Sequence, residues 1–285
     1  MTKKITIAVV IAVLVGSILI STKVFSKSKS GNSKGEEITL KEKYKLLGNI
    51  NKKINYFNDD YIDRYLEYKK KNKDLSNFDI VLRVNIGLDQ EFYTNFKKAL
   101  NIDTTYVLVN KYYNLDSDYV PKNLEVIDSK YSVPGKKLVN VARISFEHLA
   151  KKAESEGYSI RAASTYRSYS YQSNLYDNYV KQDGVSNADK YSARPGFSEH
   201  QTGLAVDVDN GKSSFNNFEN TKEYKWLLDN AYKYGFILRY PKGKEDITGY
   251  MYEAWHYRYV GVEIAALIHE NNMTYEEYYF KYIAK

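Results

Sequence analysis

Two short segments of the chain contain residue types that bind metal ions and transfer protons. SEHQTGLAVDVD places His200 seven residues before Asp207, and EAWH supplies Glu253 and His256 further along the chain. Two imidazoles and one carboxylate form a three-ligand set that leaves a position open on zinc, which is typical of a hydrolytic site. His200, Asp207 and His256 are therefore candidate Zn²⁺ ligands. Glu253 is a spare carboxylate, suited to take a proton from water and to pass it to a leaving amine.

The elements around these residues must turn them toward one another. GLAVDVD alternates apolar and polar residues, which predicts a strand with its aliphatic residues on the core face and Asp207 on the other face. A turn before Gly203 would fold His200 back toward that second face. In a regular strand, residues three apart point to opposite faces, so Glu253 and His256 converge only if the backbone bends or bulges between them.

Each of these residues also has a simpler explanation when it is taken alone. A single histidine beside a turn is more often a surface or packing residue than a ligand, and His148 and His269 are expected to be of that ordinary kind. Asp209 shares a strand face with Asp207, and it either orients a ligand or ends the strand in solvent. The combination of two histidines and two carboxylates, rather than any one member, favours the metal site.

Three motifs in this part of the chain resemble those of a known family. YRSYSYQ, then S-x-H-x-x-G-x-A-x-D, then E-x-W-H follow one another in the order found in VanY-type D-alanyl-D-alanine carboxypeptidases. These enzymes are zinc metallopeptidases, in a superfamily that also includes lysostaphin-type enzymes and hedgehog domains. The resemblance covers residues 138–270, with a weaker similarity upstream in VLVNKYYNL and DYVP.

The resemblance implies a zinc-dependent carboxypeptidase that removes the C-terminal D-alanine from peptidoglycan stem peptides, with D,D or L,D specificity. It implies that the zinc ligands are His200, Asp207 and His256. It implies Glu253 as the base, and Arg167, Gln172 and Ser198 as substrate contacts. The planar fork of Arg167 would grip either the substrate carboxylate or the oxyanion. An endopeptidase or amidase of the same superfamily is one alternative. A non-enzymatic, zinc-stabilised wall-binding module is another, and it would not need Glu253.

Sequence periodicity predicts an α+β fold, a small mostly antiparallel sheet with flanking helices and a zinc site in a groove. Apolar residues at helical spacing predict a helix that stops before Gly157, and Ser168 or Ser170 would cap the next one. YSIRAAS and FILRYP read as strands, while residues 222–234 and GVEIAALIHENN read as helices. Thr274 and Glu277 form a capping-box pattern. Upstream, YIDRYLEYKKKN predicts a helix, and FDIVLRVNI and TTYVLVNKYY predict strands.

The N-terminus predicts a membrane-spanning helix before the folded part. Lys3 and Lys4 precede the uncharged run from Ile5 to Ile20, which is close to the length that crosses hydrocarbon. We expect an uncleaved anchor over residues 1–25 and a flexible Ser- and Lys-rich linker over 26–39. An N-terminal extension over 40–135 and the zinc carboxypeptidase domain over 136–285 would follow. With a cell-wall substrate, the chain would be single-pass in the cell membrane with its catalytic domain outside.

Composition limits the remaining partners. The net charge of +7 comes from lysines scattered among acidic residues, without the dense basic stripe of a nucleic-acid surface, so no nucleic-acid binding is expected. A hydrophobic content of 43% can fill a real core. Because the chain has no cysteine, neither disulfides nor lipid attachment through a thiol contributes to it. We expect a monomer.

Overall fold

The computed structural model describes residues 38–284 of the chain. The predicted anchor (1–25) lies outside the described residues, as does nearly all of the predicted linker (26–39). Among the residues that are described, no helix is both long and apolar enough to cross a bilayer. Residues 39–285 group as one compact unit. Val107 of the predicted extension packs in the same core cluster as Leu138 of the predicted catalytic domain.

Three helices, α1 (Leu40–Leu46), α2 (Ile62–Lys71) and α3 (Asn77–Ile86), begin the described chain. The prediction of a helix in YIDRYLEYKKKN is confirmed by α2, but the predicted strand in FDIVLRVNI is wrong. That segment is α3, because the hydroxyl of Ser76 caps its first turn and Gly87 ends it in a left-handed conformation. Apolar side chains are buried on more than one side of α3, so it lacks the polar face by which a helix is recognised in sequence.

The predicted strand in TTYVLVNKYY is also mostly wrong. Val107–Tyr112 is buried without forming a strand, and only Tyr113–Asn114 is a strand, β2, which pairs in parallel with β1 (Lys97–Lys98). The carbonyl oxygens of Thr105 and Val107 accept hydrogen bonds from the side chain of Arg258 instead of from a neighbouring strand. A further antiparallel pair, β3 (Leu124–Val126) and β4 (Lys137–Val139), leads into the catalytic part.

The next helices form where local signals predict them. α4 (Asn140–Ser155) buries one apolar stripe, whose members are Ala142, Phe146, Leu149, Ala150 and Ala153. Ser168 rather than Ser170 caps α5 (Tyr169–Asp183), since its hydroxyl accepts a hydrogen bond from the backbone N–H of Tyr171. α6 (Val185–Tyr191) follows Gly184. α5 and α6 pack against each other beside the sheet.

The central sheet consists of β5 (Arg161–Ser164), β6 (Ala205–Asp209), β7 (Phe236–Leu238) and β8 (His256–Tyr259). These strands are antiparallel and lie in the order β5, β6, β8, β7. Val206 and Val208 face the main core with α4, as the alternation predicts. The other face carries Asp207, whose direct partner on β8 is His256. The register of the sheet therefore brings two candidate ligands together from distant parts of the chain.

The remaining helices are α7 (Lys222–Asn230), α8 (Glu245–Thr248), α9 (Val262–Glu270) and α10 (Tyr275–Tyr278). A 3₁₀ turn extends α7 to Tyr234, and Gly235 stops it with φ +80°, as predicted. Both halves of the predicted capping box between Thr274 and Glu277 are present at α10. A π-helical turn (Tyr279–Ile283) then closes the described chain.

Candidate active site

The structure brings His200, Asp207 and His256 together in the interior. Asp207 and His256 lie opposite each other on β6 and β8, and a 3₁₀ turn (Glu199–Thr202) supplies His200. Ligand atoms of the three side chains all lie within 4.8 Å of one another, and all three residues are buried. The predicted turn before Gly203 thus folds His200 back onto the Asp207 face of the sheet. Below, these three residues are called the His–Asp–His trio.

The backbone at Gly203 explains why the turn is tight. Gly203 has φ +68°, in the left-handed region that favours glycine. A Cβ atom at this position would meet Leu124 Cδ2 at 2.8 Å and Val139 Cγ2 at 3.0 Å. A larger residue would therefore strain the turn and displace the segment that carries His200.

The donor atoms of the trio fit a zinc ion. Nδ1 of His200 lies 2.7 Å from the carbonyl oxygen of Thr165, which leaves Nε2 facing Asp207 Oδ2 at 3.2 Å. Nδ1 of His256 lies 3.0 Å from Asp207 Oδ1. His200 Nε2 and Asp207 Oδ1 nevertheless have no hydrogen-bond partner, although both are buried. Buried polar atoms are rarely left unpaired, and two imidazole nitrogens with one carboxylate oxygen are a donor set that binds zinc.

The side chains of the trio, taken without a cation, carry strongly perturbed charges. Burial, assisted by the nearby Arg167 charge, lowers the pKa of His200 to about 4. Burial opposes the charge on His256 as well, but Asp207, Glu199 and Glu253 together outweigh it and raise the pKa of His256 to about 9. Despite its own burial, Asp207 has a pKa well below its usual value because of the two imidazoles. The site therefore holds a buried carboxylate that attracts positive charge.

Glu253 lies beside the trio and outside any strand. It precedes β8, so the opposite-face problem of a regular strand does not arise, and its backbone N–H donates to the carbonyl oxygen of Tyr240 at 3.1 Å. Its Oε2 lies 3.6 Å from His256 Nδ1. Burial raises the pKa of Glu253 to about 7, more than the His256 charge lowers it. A carboxyl group with a pKa near neutrality is suited to both accept and return a proton.

The three predicted substrate contacts lie at different depths. Arg167 donates hydrogen bonds to Asp207 Oδ2 at 3.0 Å, Gln172 Oε1 at 2.9 Å and Ser164 Oγ at 3.2 Å. Gln172 is buried and also donates to the carbonyl oxygen of Ala193, so its amide lies behind Arg167. Arg167 and Ser198 line the cleft that contains the trio, whereas Gln172 holds Arg167 in place.

The cleft has a volume of about 560 Å³, and several aromatic side chains stand in its walls among polar ones. Trp255 lines it, with Phe215 at a ring-centroid distance of 5.5 Å, and Tyr171 stands exposed at its edge. A larger cavity of about 780 Å³ is lined by residues such as Tyr56 and Arg64, and none of the predicted site residues lines it. The candidate chemistry is thus confined to the smaller cleft.

Other predicted positions lie outside the trio. Asp209 accepts two hydrogen bonds from Arg161, each of 3.0 Å, and this pairing occupies its carboxylate away from the trio. His269 stacks on Tyr232 at a centroid distance of 3.9 Å, and His148 is exposed on α4. Both histidines behave as ordinary residues of packing or surface.

Sequence reasoning missed a buried acid next to His200. Glu199 accepts hydrogen bonds at Oε1 from Arg239 and Arg258, at 2.9 and 2.8 Å. Burial opposes its charge, but the two guanidiniums keep the pKa of Glu199 well below its usual value. Two features of the sequence could have indicated this ion pairing. They are the glutamate inside the SEHQTG motif and the arginine in each of two apolar strands, FILRY and HYRYV.

Comparisons with known proteins agree with this geometry. The family described as VanY, D-alanyl-D-alanine carboxypeptidase, matches residues 135–262. YodJ of Bacillus subtilis (strain 168), which carries the name of a carboxypeptidase, is 40% identical over 208 residues, covering 68% of this chain and 76% of YodJ. The structure of the LdcB LD-carboxypeptidase matches with a TM-score of 0.62 at 42% identity, over 66% of this chain and 91% of LdcB. A mutant of the D,D-pentapeptidase VanY, solved with Zn(II), matches with a TM-score of 0.53 at 34% identity, over 61% of this chain and 98% of VanY.

Proposed function

The chain belongs to the VanY family of D-alanyl-D-alanine carboxypeptidases, and from that membership we propose that it removes the C-terminal D-alanine from peptidoglycan stem peptides. It is a zinc-dependent peptidase. The observation that carries the proposal is the convergence of two imidazoles and a carboxylate, with unpartnered ligand atoms, beside a second carboxyl group, that of Glu253, in an open cleft.

We assign the zinc ligands to His200, Asp207 and His256. Zinc bound there would supply a Lewis acid that polarises carbonyl groups and lowers the pKa of water. The hydrogen bond that His200 Nδ1 donates to the carbonyl oxygen of Thr165 fixes the ring of His200, and the one that Arg167 donates to Asp207 fixes its carboxylate. These contacts hold the donor atoms in place before an ion arrives.

We assign proton transfer to Glu253. Its carboxylate takes a proton from the attacking water and delivers it to the nitrogen of the departing D-alanine. Burial keeps its pKa close enough to neutrality for both steps. Its Oε2 lies 3.6 Å from His256 Nδ1, so Glu253 lies beside the trio without belonging to the ligand set.

We assign recognition of charge on the substrate to Arg167. Its guanidinium lines the cleft and is held by Gln172, Ser164 and Asp207, and these contacts use three of its five N–H donors, which leaves two for a substrate. A rigid fork of this kind pairs with a carboxylate at two points. Ser198, which also lines the cleft, is the second assigned contact.

The experiment that tests the function is mass spectrometry of defined stem peptides after incubation with the protein. We expect one alanine residue to be lost from the C-terminus, a strong chelator to stop the reaction, and added zinc to restore it. A pentapeptide ends in D-Ala-D-Ala and a tetrapeptide in a D-alanine that follows an L-centre, so the preferred peptide decides between D,D and L,D specificity. Cleavage within the peptide, or full activity without metal, would contradict the proposal.

We further propose that residues 1–25 anchor the enzyme in the cell membrane, with the catalytic domain on the cell-wall side as a monomer. Two lysines before an uncharged run from Ile5 to Ile20 support the anchor, and a wall substrate supports the orientation. The monomer is supported by the closeness of the trio and Glu253 within one chain, so that these four residues need no partner from a second copy. Carbonate extraction of cell membranes should leave the full chain in the pellet, and release into the wash would contradict the anchor.

A further inference from the structure

Four buried charged side chains form a group that reaches the His–Asp–His trio through Glu199. Glu199, Arg239, Arg258 and Glu276 are each at most 1% exposed, and we call them the buried charge cluster. Two arginines balance two glutamates, so the cluster is neutral as a whole. Removing one member of such a buried group leaves an uncompensated charge, whereas removing a pair is often tolerated.

The hydrogen bonds within the cluster divide unevenly between the two acids. Glu276 accepts a two-pronged contact from Arg239, at 2.9 and 2.6 Å, and a third hydrogen bond from Asn110 at 3.2 Å. Glu199 accepts from Arg239 and Arg258 through Oε1 alone. Both oxygens of Glu276 are therefore occupied, while Glu199 keeps one oxygen free.

That free oxygen faces the trio. Glu199 Oε2 lies 3.7 Å from His256 Nε2. Neither atom has a hydrogen-bond partner, although both are buried. The two atoms are complementary, and a small movement would bring an N–H donor on Nε2 within hydrogen-bond reach of the carboxylate.

We propose that Glu199 is a positioning residue for His256 and that Glu276 keeps Glu199 available for this task. A proton held on Nε2 by Glu199 leaves the lone pair on Nδ1, the atom of His256 that faces Asp207. Glu276 engages Arg239, which would otherwise turn toward the free oxygen of Glu199. The inference rests on the proposed function only in taking His256 as a zinc ligand.

The buried charge cluster and its contacts include residues outside the part of the chain that matches the family. Glu276 lies on α10 and Asn110 lies before β2, and both are outside residues 135–262. Arg258 also donates to the carbonyl oxygen of Val107 at 2.8 Å. The C-terminal helix and the upstream segment are thereby connected to a ligand of the proposed metal site.

Glu199→Gln is a sharp test because its amide can adopt only one favourable orientation. The amide oxygen must remain at the Oε1 position, where two arginines donate, so the NH₂ group faces His256 Nε2. Nε2 then accepts a hydrogen bond, so the ring carries its proton on Nδ1. A protonated Nδ1 cannot bind a metal ion. We expect zinc affinity, measured by competition with a chromophoric chelator, to fall about 10- to 100-fold.

Glu276→Gln tests the second half of the proposal, and Glu277→Gln is its matched control. Glu277 is the next residue on α10, and glutamine preserves its capping box with Thr274. We expect zinc affinity to fall about tenfold in Glu276→Gln and to be unchanged in Glu277→Gln. Replacing Arg239 by Met together with Glu276→Gln should restore affinity toward that of the parent, because the competing arginine is gone.

Two readouts separate positioning from general support of the fold. In the zinc-loaded parent, the ¹⁵N-labelled His256 ring should show a slowly exchanging proton on Nε2, and Glu199→Gln should lose it. A merely structural role would lower the unfolding temperature, and removing the Arg239–Glu276 pair would relieve that loss as well, but the proton on Nε2 would persist in Glu199→Gln. If the parent fails to bind zinc, the proposed function is wrong. If the parent binds zinc and Glu199→Gln binds it equally well, this inference is overturned. It is also overturned if the double variant binds zinc more weakly than Glu276→Gln does.

Discussion

Nη2 of Arg167 donates a hydrogen bond to Oδ2 of Asp207 across 3.0 Å, so one guanidinium touches a candidate zinc ligand and also lines the cleft. Two of its other N–H donors contact Gln172 and Ser164, which leaves the group little freedom to move. A fixed positive charge at this place can grip a substrate carboxylate while it orients Asp207.

Replacing Arg167 by lysine keeps the charge and removes the fork. If Arg167 holds the terminal carboxylate of the substrate, KM should rise about tenfold or more with a smaller change in kcat, because the interaction already exists in the bound substrate. Steady-state kinetics on a stem peptide would measure this. Arg161→Lys is the matched control, since Arg161 pairs with Asp209 and does not line the cleft, and it should leave both constants unchanged. A loss confined to kcat would assign Arg167 to the oxyanion instead.

Glu253→Ala and His200→Ala should separate the base from the ligands. Glu253→Ala should retain zinc, because Glu253 is outside the ligand set, and should lose about two to four orders of magnitude in turnover. His200→Ala should lose the metal itself. Elemental analysis together with kinetics checks both expectations, and equal loss of zinc in the two variants would show that Glu253 is misassigned.

Much of the candidate site could be predicted from sequence because its residues lie in compact motifs. His200 and Asp207 are joined by one turn and one strand, and both elements follow from local periodicity and a glycine. The structure brings His256 and Glu253 to them as the motifs suggest. Their roles remain predictions until the variants are measured. Helix caps such as Ser168 were equally local, so the start of α5 could be predicted to within two residues.

What sequence reasoning missed depends on contacts between distant residues. Glu199 is 40 residues from Arg239 and 59 from Arg258, and nothing within one turn of it indicates either partner. The strand prediction for residues 78–86 failed for a related reason. Ile80 and Val81 are both buried, because α3 packs on more than one side, and tertiary packing therefore erased the helical pattern.

Gly203→Ala should destabilise the protein and weaken its hold on zinc. The left-handed backbone at Gly203 would be strained by about 1–3 kcal/mol, and the new Cβ would press on Leu124 and Val139, displacing the turn that carries His200. Gly135→Ala is the matched control, because Gly135 also has a positive φ but has no atom within 4 Å of an added Cβ.

Thermal unfolding and zinc titration would compare the two variants. Gly135→Ala should lose only the stability that the strained backbone costs, and it should keep the zinc affinity of the parent. Equal losses of stability and equal zinc affinity in both variants would mean that close packing at Gly203 does not position His200.

The carboxypeptidase assignment is tested most directly by comparing one stem peptide as its free acid and as its C-terminal amide. A carboxypeptidase must recognise the terminal carboxylate, and amidation leaves the cationic partner of that group unpaired, at a cost of about 2–5 kcal/mol. With the zinc-loaded protein and mass spectrometric detection, we predict loss of one D-alanine from the free acid and a kcat/KM for the amide that is lower by about thirtyfold or more. Cleavage of both peptides at the same rate would contradict the account and would favour an endopeptidase with an open groove.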